Sequence, residues 1–169
     1  MSTNTEQRLA PKSQNFLKNN YFKFILNKIP NVEFYVQGCN LPSIGTNYVE
    51  TKSAFAHPLQ TTGVNLDYGT LSLSFIVDED LYNYMELYNW IKGQVPELTY
   101  NDVDSETERY SDASLLILNS VYKPNLRVDF FDLFPVNLGE ISFDLTDSDP
   151  SPIILQTEFR FNELKITRL

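Results

Sequence analysis

The chain has 169 residues, 13 Lys and Arg against 22 Asp and Glu for a formal charge of −9, and a single His, Cys and Trp. That length makes one domain, or one domain and a tail, and 42% hydrophobic residues with 12 Phe and 10 Tyr give it a core that leans towards β. One Cys excludes an internal disulfide, one Cys with one His excludes a structural zinc site, and the charge argues against a general nucleic-acid binder, which needs concentrated Lys and Arg.

Residues 1–19 are polar and read as an arm, disordered in the free monomer. The arm either binds a partner or is a remnant without a role. Its opening, MSTNTEQRLAPKSQNF, has no apolar stretch of the kind a secretory signal uses. No run in the chain reaches the roughly 18–20 apolar residues of a membrane span. The expectation is a soluble chain made in a cytoplasm.

The first regular element begins at Tyr21, where Phe22, Phe24 and Leu26 alternate onto one face. Ile29-Pro30-Asn31 signals a turn, and Val32, Phe34 and Val36 then alternate inward. The two runs predict a β-hairpin. The chain bends at Leu41-Pro42 and Gly45 and enters a weakly patterned stretch, 46–69. A stretch that long inside a compact domain is usually functional or partly folded as a hairpin. TLSLSFIVD is a clear strand, with Leu71, Leu73, Phe75 and Val77 on one side and Ser72 and Ser74 on the other.

The period then becomes helical. Leu81, Tyr84, Met85, Tyr88 and Ile91 recur at the spacing of one helix face, with Asp78, Glu79 and Asp80 as cap and dipole partners and Lys92-Gly93 as the stop. An exposed acidic loop follows over 94–112. SLLILNS, LRVDFFDL and EISFDL read as three strands, separated by Lys123-Pro124-Asn125 and by the Phe134 to Gly139 turn. The last strand is long. Ile153, Leu155, Thr157, Phe159 and Phe161 face one way, and Gln156, Glu158, Arg160 and Asn162 the other.

The catalytic inventory is nearly empty. A calcium loop starting at Asp102 needs Gly at position 107 and Glu at 113, where the chain has Thr107 and Ala113. His57 has no nucleophile elbow to serve and reads as a surface loop histidine. Cys39 has no nearby His or Lys and reads as a half-buried small hydrophobe. Six glycines form neither a Walker loop nor a dinucleotide fingerprint. No catalytic, cofactor or metal residue is assigned. Strands, loops and many aromatics suit assembly instead.

The order of these pieces resembles the tail-tube protein family of contractile bacteriophage tails, whose fold is shared with type VI secretion tubes. The resemblance covers roughly residues 19–166 and rests on NNYFKFILNKIPNVEFYVQGCNLPSIG with its Cys39-Asn40-Leu41-Pro42 corner, LSLSFIVDEDLYNYMELYNWI, VDFFDLFPVNLGEISFDL and ILQTEFRFNELKI. The segment at 133–141 is the most specific piece. The acidic loop 94–112 and SLLILNSVYKPN depart from the family pattern.

The resemblance implies a mainly β fold, an antiparallel β-sandwich or distorted barrel flanked by one α-helix over about residues 79–92. It implies an arm over 1–19 and one domain over 20–169. Family members form hexameric rings that stack into the inner tube of the tail, the channel for DNA ejection. The implied partners are further copies of the chain, tail sheath and baseplate proteins, with DNA only as passing cargo and no membrane insertion. The implied location is the virion tail, assembled in the host cytoplasm. Baseplate tube-initiator and tube-cap proteins share the fold and are the alternative. The expected ring interface is Tyr48, Phe55, Leu59, Leu66, Phe134 and Pro135. The long stretch 46–69 should touch a neighbouring subunit or ring, and the acidity should line part of the channel or serve solubility alone. A monomeric β-sandwich module binding carbohydrate through exposed aromatics, and a small hydrolase using His57, are the readings from other classes.

Overall fold

The computed structural model describes residues 15–52, 58–95, 109–146 and 151–169. Nine strands and two helices follow one another among them: β1 (Phe22–Leu26), α1 (Pro30–Phe34), β2 (Val36–Cys39), β3 (Ile44–Thr51), β4 (Leu59–Tyr68), β5 (Leu71–Ile76), α2 (Tyr82–Gln94), β6 (Ser111–Leu118), β7 (Pro124–Leu138), β8 (Ile154–Arg160) and β9 (Glu163–Arg168). The fold is mainly β and antiparallel, flanked by helix α2. Seven strands join in the order β1-β6-β7-β8-β5-β2, with β9 also on β7, and among the described residues the sheet does not close on itself. β3 and β4 stand apart as a two-stranded sheet.

β7 organises the rest. Its first part, Leu126 to Phe131, pairs with β9, and its last part, Phe134 to Leu138, pairs with β8. The bend falls at Asp132, which has φ 52°, opposite Asn162, whose side-chain amide donates to the Asp132 carboxylate at 3.2 Å. The long last strand is therefore present but breaks into β8 and β9 at this corner. Its inward set holds: Leu155, Thr157, Phe159 and Phe161 are buried. So does that of β5, where Leu71, Leu73 and Phe75 are buried. Phe130 meets Phe161 edge-on at 5.1 Å between centroids, and Trp90 of α2 reaches Phe159 at 6.0 Å. Rings meeting at such angles add a little to their area burial.

Four expectations are corrected. The hairpin predicted over 21–39 does not form. Pro30 sits in the first turn of a short helix, where its missing N–H costs nothing, and Val32 is fully buried from that helix. β1 then pairs with β6 and β2 with β5, so the two runs join different parts of the sheet. The Phe134 to Gly139 turn is instead the end of β7. Beyond Leu133 that strand is paired only to β8, and an edge tolerates Pro135. EISFDL forms no strand.

The fourth correction concerns α2. Its buried face is Asn83, Leu87 and Trp90, whereas Met85 and Tyr88 are exposed. Asn83 donates its amide to the Ile76 carbonyl at 2.9 Å and accepts the Asp78 N–H at 3.3 Å, which ties the helix start to β5. A buried, satisfied Asn is invisible to an apolar periodicity. Asp78, Glu79 and Asp80 do not cap the helix. The N-cap position is Leu81, left-handed at φ 59°, with no side-chain cap. Lys92 stands in the last turn as expected, and Gly93 lies inside the helix.

Candidate assembly surface

β3 and β4 form a ladder from Ile44↔Tyr68 to Thr51↔Leu59. The register shifts between Thr46 and Tyr48, where Asn47 faces Gly63 across the strands. The Asn47 side-chain oxygen accepts the Asn65 N–H at 3.4 Å. A Cβ on Gly63 would collide with the Asn47 backbone oxygen, so only glycine fits. The hairpin closes tightly at its base, where the Gly69 N–H donates to the Ser43 carbonyl at 2.8 Å.

Both faces of this hairpin are exposed, and both carry apolar groups. Tyr48 and Val49 are successive residues, point to opposite faces, and are 65% and 52% exposed. Ile44, Leu59 and Leu66 are exposed as well, and Val64 is 96% exposed. Large apolar groups on two solvated faces make this hairpin the candidate contact surface.

Of the expected interface residues, the structure brings Tyr48, Leu59 and Leu66 together on this hairpin. Phe55 lies outside the described residues. Phe134 is half-buried and stands edge-on to Tyr110 at 5.7 Å, and Pro135 is buried in β7. Sequence reasoning missed Val64 of the hairpin and, on the segment after β7, Phe143 and Leu145. Phe143 is 75% exposed and stands beside Val77, Leu81 and Ile153 over an open groove of about 330 Å³. The signal for both was the apolar alternation of Ile141, Phe143 and Leu145, which was assigned to a paired strand.

The titratable groups show no catalytic arrangement among the described residues. Burial pushes the Cys39 thiol up to about 12, away from a thiolate. Burial raises the Asp129 carboxyl, but hydrogen bonds from Ser114 and Arg127 and the charges of Arg127 and Lys165 outweigh it and hold the group below its ordinary value. No group of three His, Cys, Asp or Glu that could hold a metal ion occurs among the described residues. His57 and the acidic positions Asp102, Asp104 and Glu106 lie outside them. No helix among them is long and apolar enough to cross a membrane.

No protein-family model matches the chain. In sequence it is 29% identical over 99 residues to the tail tube terminator protein of Enterobacteria phage T4, a match that spans 58% of this chain and 56% of that protein. In fold it is similar to a chain of the PVC extracellular contractile injection system, solved as a sheath-tube complex, at a TM-score of 0.67 and 14% identity over 92% of this chain and 94% of that one. The chain has a fold that also occurs in a contractile sheath-tube complex. The same fold appears in the tube terminating cap of the anti-feeding prophage, at a TM-score of 0.66 and 15% identity over 98% of this chain and 99% of that one.

Proposed function

We propose that the chain is a ring-forming subunit that ends the inner tube of a contractile tail. The observation that carries this reading is the β3–β4 hairpin, apolar on both faces and unpaired to the main sheet. A lone two-stranded hairpin is marginal in water, so it gains its stability against another copy. The surfaces that meet differ from each other. Such a heterologous contact closes into a ring when the rotation allows. Six copies per ring follow from the family resemblance.

The terminating position is supported by the sequence match to a tail tube terminator and by the likeness to a terminating cap. The likeness to a chain of a sheath-tube complex favours a second reading, the repeated tube subunit. Tube, sheath and baseplate proteins are the partners in either case. DNA passes the lumen as cargo, and a net charge of −9 keeps it from adhering. Most of the arm expected over residues 1–19 lies outside the described residues. Light scattering after size exclusion tests the reading. Rings of one fixed mass are expected. Species that lengthen with concentration would indicate the repeated tube subunit, and a monomer at every concentration would overturn both.

A further inference from the structure

The segment Glu140 to Leu145 has the alternation of a strand but no strand partner among the described residues. Ile141 packs against the core, while Phe143 is 75% exposed and Leu145 fully so. The segment leaves the sheet after Gly139, whose N–H donates to the Gln156 carbonyl at 2.8 Å. It ends where the Asp144 carboxylate accepts the Thr146 N–H at 2.8 Å and its hydroxyl at 2.7 Å. An exposed apolar strand pattern without a neighbour is a pairing site.

The same chain holds a matching gap. An open groove of about 680 Å³ lies between β1 and β2, lined by Phe22, Lys23, Phe24, Glu33, Val36 and Gln37 among others. β1 pairs with β6 through its odd-numbered residues. The Tyr21 carbonyl accepts the Leu118 N–H at 2.9 Å, and the Asn27 N–H donates to the Asp112 carbonyl at 3.3 Å. The N–H and C=O groups of Phe22 and Phe24 therefore point away from β6, along the outer edge. The Leu26 N–H on that edge donates to the Glu33 carboxylate at 3.3 Å.

We propose that the Glu140 to Leu145 segment of one copy adds as a strand to the β1 edge of a second copy, with Phe143 seated in the groove between β1 and β2. A second copy is the occupant because the unpaired strand segment and the unpaired strand edge belong to one chain, and each supplies the backbone groups that the other lacks. The segment carries Glu140 and Asp144. In the groove Lys23 and Glu33 balance each other at 4.0 Å, and Glu33 also accepts the Leu26 amide, so no unpaired carboxylate opposes Glu140 or Asp144. The proposal rests on the ring reading and names the surfaces that meet.

The test mixes a Phe143→Cys copy with an Asn20→Cys copy and adds a short thiol cross-linker. Asn20 lines the same groove and is exposed. The mixture is expected to give a mixed dimer that neither variant gives alone, and the single-variant controls read any reaction through Cys39. Phe143→Asp is expected to weaken self-association by at least about tenfold. Its unfolding midpoint should stay at the wild-type value, because the side chain is exposed in the monomer. Rings seen by microscopy with no mixed dimer, or with Phe143→Asp associating as wild type, would overturn this contact and leave the ring reading standing. A wild-type chain that stays monomeric would overturn both.

Discussion

Asn83 is the polar side chain on which the start of α2 depends. It satisfies the Ile76 carbonyl and the Asp78 amide from a fully buried position. Asn83→Ala leaves those backbone groups without it and is expected to cost about 1–3 kcal/mol, read from urea unfolding. Gly63 matters for the opposite reason, since it must have no side chain. Gly63→Ala should displace Asn47, disturb the hairpin and weaken assembly while leaving the core's unfolding midpoint in place. Asp129 gives a pH signature. Its Oδ1 accepts hydrogen bonds from Ser114 and Arg127, both at 2.6 Å. A carboxyl held below its ordinary value of 3.8 adds stability above that value and loses it as the folded chain takes up the proton. The wild type should therefore exceed Asp129→Asn in melting temperature at neutral pH, and the difference should shrink below about pH 4. A difference that grows on acidification would contradict this sign.

Among the elements, the β3–β4 hairpin is the one whose removal should separate folding from assembly. Ser43 and Gly69 are hydrogen-bonded across its base, so a short Gly-Ser link can replace 45–67. The shortened chain is expected to unfold cooperatively within a few degrees of the full chain and to stay monomeric in light scattering. Loss of folding would instead make the hairpin part of the core. β5 and β8 were legible in the sequence because one face is buried along each whole strand, which leaves a clean period of two. The helix was legible as a helix, but its buried face was not, because its inward position 83 is polar and its apolar Met85 and Tyr88 face out. The run Val32 to Val36 alternates like a strand, yet Pro30 and the buried Val32 suit a helical turn better. Three of the expected interface residues, Tyr48, Leu59 and Leu66, share the exposed β3–β4 hairpin, and the length of 46–69 was the sign that this stretch is no idle loop. Phe143 was hidden by its own pattern, because alternation says that a strand will pair and not with which chain.

For the whole molecule, the open sheet is the decisive feature. The order β1-β6-β7-β8-β5-β2 leaves edges at both ends, and the separate hairpin leaves two apolar faces in water. A chain built this way as a lasting monomer would invite uncontrolled pairing. In the proposed ring, closure removes the edges and covers the hairpin together. The similarity to a tail tube terminator and to a terminating cap supports the proposed reading of a ring at a tube end. The most direct test is negative-stain microscopy of the purified full chain. Single closed rings with a central channel, sixfold when averaged, are the expected result. Isolated particles the size of one domain at every concentration would contradict the claim that the chain works by assembling with itself.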